Sequence, residues 1–310
     1  MSSLIDLDIA EQPDVLARVV DGNAAALAQV EAMVGRARSV RLLAMGSSRH
    51  AAGYGSAAIA HVAGVPSAVL AAPGADAPLP PLSPDDVVIA VSQSGDTPAL
   101  VHAAVETRAQ RAALVAVTNA PASALEAVAD LTLHCGAGPE RVVAATKSVT
   151  SAMLLLRAAA GPLAPTAAEQ LRAAVASAIA LDCGAMAAGP APSFVVCGGL
   201  TGGWVADEIA LKFAEVAGVV VAADSVIEFL HGPVAAPGAV LALVGPDDPN
   251  VPALVRRHDV TLVDPPRPGN SSLDAIVDVV VGQRLAVAWT RALDRDPDAS
   301  RGLDKVTRSR

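Results

Sequence analysis

Residues 87–91 form an apolar, β-branched run, Val-Val-Ile-Ala-Val, that passes directly into Ser92-Gln93-Ser94-Gly95-Asp96-Thr97 and then Pro98. Such a run has the length of a strand buried on both faces, the kind that parallel sheets use. Thr97 suits an N-cap and Pro98 a first helical position, so a helix is expected over 98–110. Hydroxyls, an amide and free backbone N–H groups therefore gather where a strand ends and a helix begins. A turn of this kind seats a phosphate without Lys or Arg, because the helix dipole and unpaired N–H groups favour an anion. A turn that merely caps its own helix has the same composition.

The same alternation recurs along the chain. Short apolar runs stand at 40–45, 67–71, 87–91, 113–117 and 131–134, with helical segments expected over 14–37, 48–63, 98–110, 123–129 and 146–160. A second series has runs at 194–197, 219–222, 240–244 and 260–263, with 277–281 as a weaker fifth. Repeated strand–helix units predict an α/β fold of two tandem flavodoxin-like subdomains, each a parallel sheet flanked by helices. The expected division is an N-terminal helical segment (1–39), a first subdomain (40–163), a linker helix within 164–192, a second subdomain (193–294) and a C-terminal tail (295–310). In a sheet ordered 2-1-3-4-5 the ligand crevice lies at the C-terminal ends of strands one and three. Gly46-Ser47-Ser48 follows strand one and Ser92-Gln93-Ser94 follows strand three, so both serine clusters fall at that point. The matching turn of the second series reads Gly245-Pro246-Asp247-Asp248, whose carboxylates would repel phosphate. One phosphate site, in the first half, is therefore expected.

Composition excludes several classes. A net charge of −9 and 2 % aromatic residues argue against a nucleic-acid surface. Cys135, Cys183 and Cys197 lie far apart, without the spacing of a zinc site or a disulfide framework, and read as buried packing residues. No Gly-rich dinucleotide fingerprint, phosphate-binding Lys loop or His-Glu-x-x-His helix occurs, so no cofactor and no metal is expected. The acidic opening residues lack a basic leader region and no apolar stretch reaches membrane-spanning length, which predicts a cytoplasmic protein without a membrane partner.

A helix is expected over 204–217, with Ala206, Ile209, Ala210, Phe213 and Ala217 as its buried face. Glu208, Lys212 and Glu215 share another stripe. That stripe is either solvated, with a Glu208–Lys212 pair worth about 0.3 kcal/mol, or a catalytic constellation. His231, in Phe229-Leu230-His231-Gly232-Pro233, is either a structural histidine or a catalyst, whereas His50, His61, His102, His134 and His258 have no partner pattern. Arg141 and Lys147 flank the Ala-Ala-Thr stretch at 144–146 and would either touch phosphate or cap a helix.

Taken in order, these motifs resemble the double-SIS (sugar isomerase) family, above all the isomerase domain of glucosamine-6-phosphate synthases. The resemblance rests on Glu11-Gln12-Pro13, Gly46-Ser47-Ser48, Ser92 through Thr97, Thr118-Asn119, Glu140 through Lys147, Glu208 through Glu215, His231-Gly232-Pro233 and Lys305-Val306-Thr307. It implies that Ser47, Ser48, Ser92, Gln93, Ser94 and Thr97 hold a sugar phosphate and that Val143, Ala144 and Ala145 line the open-chain sugar. By the same resemblance Glu215 moves a proton between C1 and C2, with Lys212 beside it. His231 opens the ring and comes from a neighbouring subunit, and Lys305 lies on a closing tail and can form an imine with a ketose. The chain departs from the family at Gly198-Gly199-Leu200, where an Arg is usual in the middle position.

The resemblance implies an enzyme of phosphorylated amino sugars, acting as a homodimer with a shared active site and using no cofactor. With a free amine, C2 proton abstraction leads to isomerisation and deamination of glucosamine 6-phosphate. With an acylated amine the same intermediate would expel the 3-hydroxyl, a dehydration of N-acetylglucosamine 6-phosphate. A sugar-phosphate-binding regulator and a deglycase of sugar–amino acid phosphates are the other readings. Without the synthase's glutaminase domain, the chain would not draw ammonia from glutamine.

Overall fold

The computed structural model describes residues 3–70, 78–236, 238–245, 247–269, 271–299 and 302. The chain begins with helices α1 (Leu4–Ala10), α2 (Gln12–Gly22) and α3 (Ala24–Val34). The first strand–helix series follows: β1 (Ser39–Ala44), α4 (Ser47–Ala58), β2 (Ser67–Val69), β3 (Asp86–Ser92), α5 (Pro98–Ala109), β4 (Ala113–Thr118), α6 (Ala124–Val128), β5 (Leu131–His134) and α7 (Lys147–Ala159). Helices α8 (Ala167–Ile179) and α9 (Cys183–Met186) lead to the second series. This comprises β6 (Phe194–Cys197), α10 (Gly202–Lys212), β7 (Ala222–Ser225), α11 (Val226–His231), β8 (Val240–Leu243), α12 (Val251–Val255), β9 (Val260–Val263) and α13 (Ser271–Ala292).

Two compact units result, and their sequences interleave. One holds 14–140 and 147–168. The other combines 3–13 with 141–146 and 169–299. The first unit contains a five-stranded parallel sheet of order β2-β1-β3-β4-β5, the order expected for a flavodoxin-like subdomain. Its strands β1, β3 and β4 are almost wholly buried, as their continuous apolar runs require. Leu43, Val88, Ala90 and Leu114 form a core with Leu100 and Ala103 of α5. The other unit contains a four-stranded parallel sheet of order β7-β6-β8-β9, with Val196, Val240 and Ala242 packed against Phe229 of α11 and Leu254 of α12.

Several expected elements shift for identifiable reasons. The helix expected over 14–37 is two helices, parted at Asn23. The Asn23 amide donates to Val19 O at 2.7 Å and His134 O at 2.9 Å, and accepts from His134 N at 2.8 Å, which completes the end of β5. The linker helix expected within 164–192 is also two, α8 and α9, and Asp182 caps α9 by accepting from Ala185 N. The strand expected at 219–222 begins three residues later, at Ala222. Here α10 runs on through a π turn, Phe213–Ala217, closed by Gly218 in the left-handed conformation (φ 65°), and the chain needs the following residues to return to the sheet edge. Residues 277–281 are not a fifth strand but the middle of α13. Their valines are fully or nearly fully buried, and an apolar run covered on every side has no period to separate helix from strand.

One carboxyl of α13 is buried in this apolar setting. Asp278 is 4 % exposed and accepts from Arg267 Nη1 at 2.8 Å. Burial pushes its carboxyl up to about 7, with the Arg267 charge opposing the shift. The folded chain therefore holds a proton that the unfolded chain releases near pH 4. The stability this confers is full below that pH and disappears as pH rises through 7. Between pH 4 and 7, wild type should lose on the order of 3 kcal/mol more unfolding free energy than Asp278→Asn, measured by urea denaturation across that range.

Candidate functional site

The parallel pairing of β1 with β3 sets Ala44 opposite Val91, so the residues that follow each strand leave the sheet on the same edge. Ser47 and Ser48, both half-buried, open α4 directly after Gly46. Ser92 closes β3; its hydroxyl accepts from Gly95 N at 3.1 Å and lies 3.4 Å from Thr97 Oγ1. Ser94 Oγ accepts from Asp96 N at 3.2 Å. Thr97 precedes α5 in extended conformation and Pro98 is its first residue, as the sequence predicts. Both serine clusters thus stand at the switch point of the first sheet, where an anion would meet two helix N-termini.

Neighbouring turns hold this loop. Asn119 N donates to Gln93 O at 3.1 Å, while Leu125 N donates to Gly95 O at 2.9 Å. Ala124 N donates to Asp96 Oδ1 at 2.9 Å, so the acidic side chain of the loop is engaged at the start of α6. Gly95 adopts φ 67°, and a Cβ there would lie 2.2 Å from Ser123 Oγ. The loop conformation therefore needs glycine for both backbone and space.

In the other unit α10 carries Glu208, Lys212 and, in its π turn, Glu215. The solvated stripe that their spacing allowed is not what forms. Glu208 and Lys212 side chains are each 1 % exposed and Glu215 is 18 % exposed. The reason is tertiary: β6, β7 and α13 all pack on α10 and leave it no open face along that stripe. Lys212 Nζ lies 3.4 Å from Glu208 Oε1 and pairs more closely with Glu215 Oε2. An ammonium between two carboxylates offsets the cost of burying each charge alone.

Glu215 borders a small cavity of about 10 Å³, shared with Val142, Val143, Ala144, Val216, Pro297, Asp298 and Ala299. That is room for a single water molecule. The structure thus brings Val143 and Ala144 to Glu215, whereas Ala145 does not line this cavity. The segment after α13 covers it: Asp298 accepts from Leu4 N at 2.8 Å and Ile5 N at 3.0 Å, and Arg295 Nη1 donates to Ala217 O at 2.5 Å. His231 is exposed at the last position of α11 and does not line the cavity. Lys305 lies outside the described residues.

Arg141 does not wait for a phosphate. Its guanidinium is engaged by Asp8 and Glu11, which raise its pKa from the ordinary value. Lys147 is fully buried at the start of α7. The resemblance implied a closing tail within 295–310, but residue spacing alone does not place 297–299, because their position depends on α1 and the π turn. Among the described residues no group of three or more His, Cys, Asp or Glu converges as a metal site, and no helix is long and apolar enough to cross a membrane.

Residues 33–161 match the SIS domain. A glutamine–fructose-6-phosphate aminotransferase (isomerizing) of Aeropyrum pernix is 32 % identical over 348 residues, which cover 96 % of this chain and 56 % of the relative. The chain therefore spans little more than half the length of that relative. A presumed phosphosugar isomerase from Silicibacter pomeroyi DSS-3 superposes with a TM-score of 0.83 at 28 % identity, covering 96 % of this chain and all of the other. A glucosamine-6-phosphate deaminase from Thermotoga maritima shares the fold with a TM-score of 0.78 at 20 % identity, over 98 % of this chain and 99 % of that one.

The two constraints on Gly95 can be separated. Gly64 has a similar φ of 68° but nothing near its missing Cβ. Gly64→Ala should cost about 1 kcal/mol, the backbone contribution alone. Gly95→Ala should cost about 1–3 kcal/mol more, since Ser123 must also move; urea unfolding of both variants measures the difference.

Proposed function

The chain carries a SIS domain and is related over nearly its whole length to glutamine–fructose-6-phosphate aminotransferases, and on this basis we propose that it is an enzyme acting on a hexosamine 6-phosphate by C2 proton abstraction. The observation that carries the reading is the Lys212–Glu215 pair beside Val143 and Ala144. A half-buried carboxylate bordering a cavity lined mostly by Val, Ala and Pro is a suitable general base.

In this reading Ser47, Ser48, Ser92, Gln93, Ser94 and Thr97 take the phosphate through hydroxyl and backbone donors. His231, from a second copy of the chain, helps open the ring. Glu215 removes the C2 proton of the open-chain aldose, and Lys212, fixed by Glu208, holds the carboxylate in place. Returning that proton to C1, while one amine proton passes to the former aldehyde oxygen, leaves a C1 hydroxyl and a C2 imine. Water then adds, releasing ammonia and fructose 6-phosphate. The carboxylate starts and ends ionised, so no further acid is consumed. Lys305 has the chemistry to bind the ketose as an imine. The reading takes the protein to be a cytoplasmic homodimer.

Incubation with glucosamine 6-phosphate should release ammonia and fructose 6-phosphate in equal amounts. Glu215→Gln should lower kcat by about 10²-fold or more, with the midpoint of thermal unfolding little changed. Ultraviolet absorbance from N-acetylglucosamine 6-phosphate, without ammonia from the free amine, would replace deamination by dehydration. Tight calorimetric binding of either sugar with no turnover would replace the enzyme by a regulator.

A further inference from the structure

The Glu11-Gln12-Pro13 motif, prominent in the sequence, has no part in the proposed chemistry, yet its side chains are engaged. Arg141 N donates to Asp8 Oδ2 at 2.6 Å, and the Arg141 guanidinium reaches Asp8 Oδ1 and, at 2.5 Å, Glu11 Oε1. Asp8 is completely buried and Gln12 likewise. Gln12 Nε2 donates to Gln283 Oε1 at 2.8 Å, and Gln283 Nε2 donates to Thr146 O at 3.3 Å. Both ends of the stretch 141–146 are thereby tied to residues 8–12, by an ion pair at the front and a buried amide relay at the rear. Between the two ties lie Val142, Val143 and Ala144, the wall of the cavity at Glu215.

We propose that residues 8–12, acting through Arg141 and Gln283, are positioning residues that hold the 142–144 wall against Glu215. This inference rests on the proposed role of Glu215 and adds residues to it. A loop that lines reacting carbons carries little binding energy of its own, because the phosphate anchors the substrate elsewhere in the chain. Its placement therefore governs the chemical step more than substrate affinity, and a displacement of about 1 Å is enough to cost a large factor in rate. The two ties differ in kind. The ion pair weakens with loss of charge, whereas the amide relay is insensitive to it. The α1 helix that bears Asp8 is itself fixed at its N-terminus by Asp298, so the wall and the cover over Glu215 share one support.

The test uses the full chain with three variants: Asp8→Asn combined with Arg141→Gln, which removes the buried carboxylate and its partner charge together, Glu11→Gln, and Arg141→Lys. Each is assayed for kcat and KM on glucosamine 6-phosphate and for amide hydrogen exchange of the 141–146 peptide. For the double variant, kcat should fall about 10- to 100-fold while KM stays within about threefold, and exchange at 141–146 should quicken about tenfold. Arg141→Lys, which keeps the charge, should retain most of the wild-type kcat. Unchanged exchange, or faster exchange with unchanged kcat, overturns the proposal, as does a KM that rises in step with the fall in kcat. If the double variant does not fold, Glu11→Gln is read by the same criteria, its carboxylate being 42 % exposed. If wild type itself turns over no glucosamine 6-phosphate, the proposed function fails. Exchange alone then decides: quickening at 141–146 upholds the tether, and no change overturns it.

Discussion

The parallel pairing of the first strand of each sheet with two neighbours is the constraint on which the rest of the structure depends. With β1 between β2 and β3, and β6 between β7 and β8, each sheet has a point where successive connections leave in opposite directions. The chain emerging there cannot close its turns with strand hydrogen bonds, so the turns are built from hydroxyls, amides and loop N–H groups that gather at the crevice. In the first sheet those groups belong to serines and threonine. In the second the corresponding turn holds Asp248, whose Oδ1 accepts from Asn250 N and Nδ2 and so folds back on its own turn. One architecture therefore presents a hydroxyl-rich turn in one unit and an acidic turn in the other.

The helices after β1 and β6 show a second shared feature. Each ends in a π turn, Ile59–Ala63 and Phe213–Ala217, followed by a left-handed glycine, Gly64 and Gly218. A π turn changes the angular phase of the residues it contains. In the first unit the turn carries only His61 among ionisable residues, but in the other it carries Glu215, beside the buried Lys212. The same backbone irregularity is thus put to different use by one side chain, which fits a duplicated unit whose halves have diverged.

Much of this was legible from residue order. The five strands of the first sheet and the serine clusters that follow two of them can be read from apolar runs bounded by capping residues, because strand length and helix caps are local properties; their order came from the flavodoxin-like arrangement that repeated strand–helix units imply. The break at Asn23 was not legible, since its amide is held there by two hydrogen bonds to the end of a strand far along the chain, beside one to its own helix. The valines of 277–281 misled for the opposite reason: their burial on all sides removes the periodicity that would mark a helix. In the sequence Arg141 is only a basic side chain before the 144–146 stretch; Asp8 and Glu11, far away in sequence, engage it in the folded chain.

By itself the amino-acid order determined the strands of the first sheet, the start of α5 and which turns are rich in hydroxyls, since each depends on neighbours a few residues apart. Only the tertiary structure decided which charges are buried and which side chains meet. Glu208, Lys212 and Glu215 would be a solvated stripe on an isolated helix, and it takes β6, β7 and α13 to close over them. The loop at 142–144 lies against Glu215 because long-range ion pairs and amide bonds outweigh its local freedom, and no spacing along the chain encodes that contact.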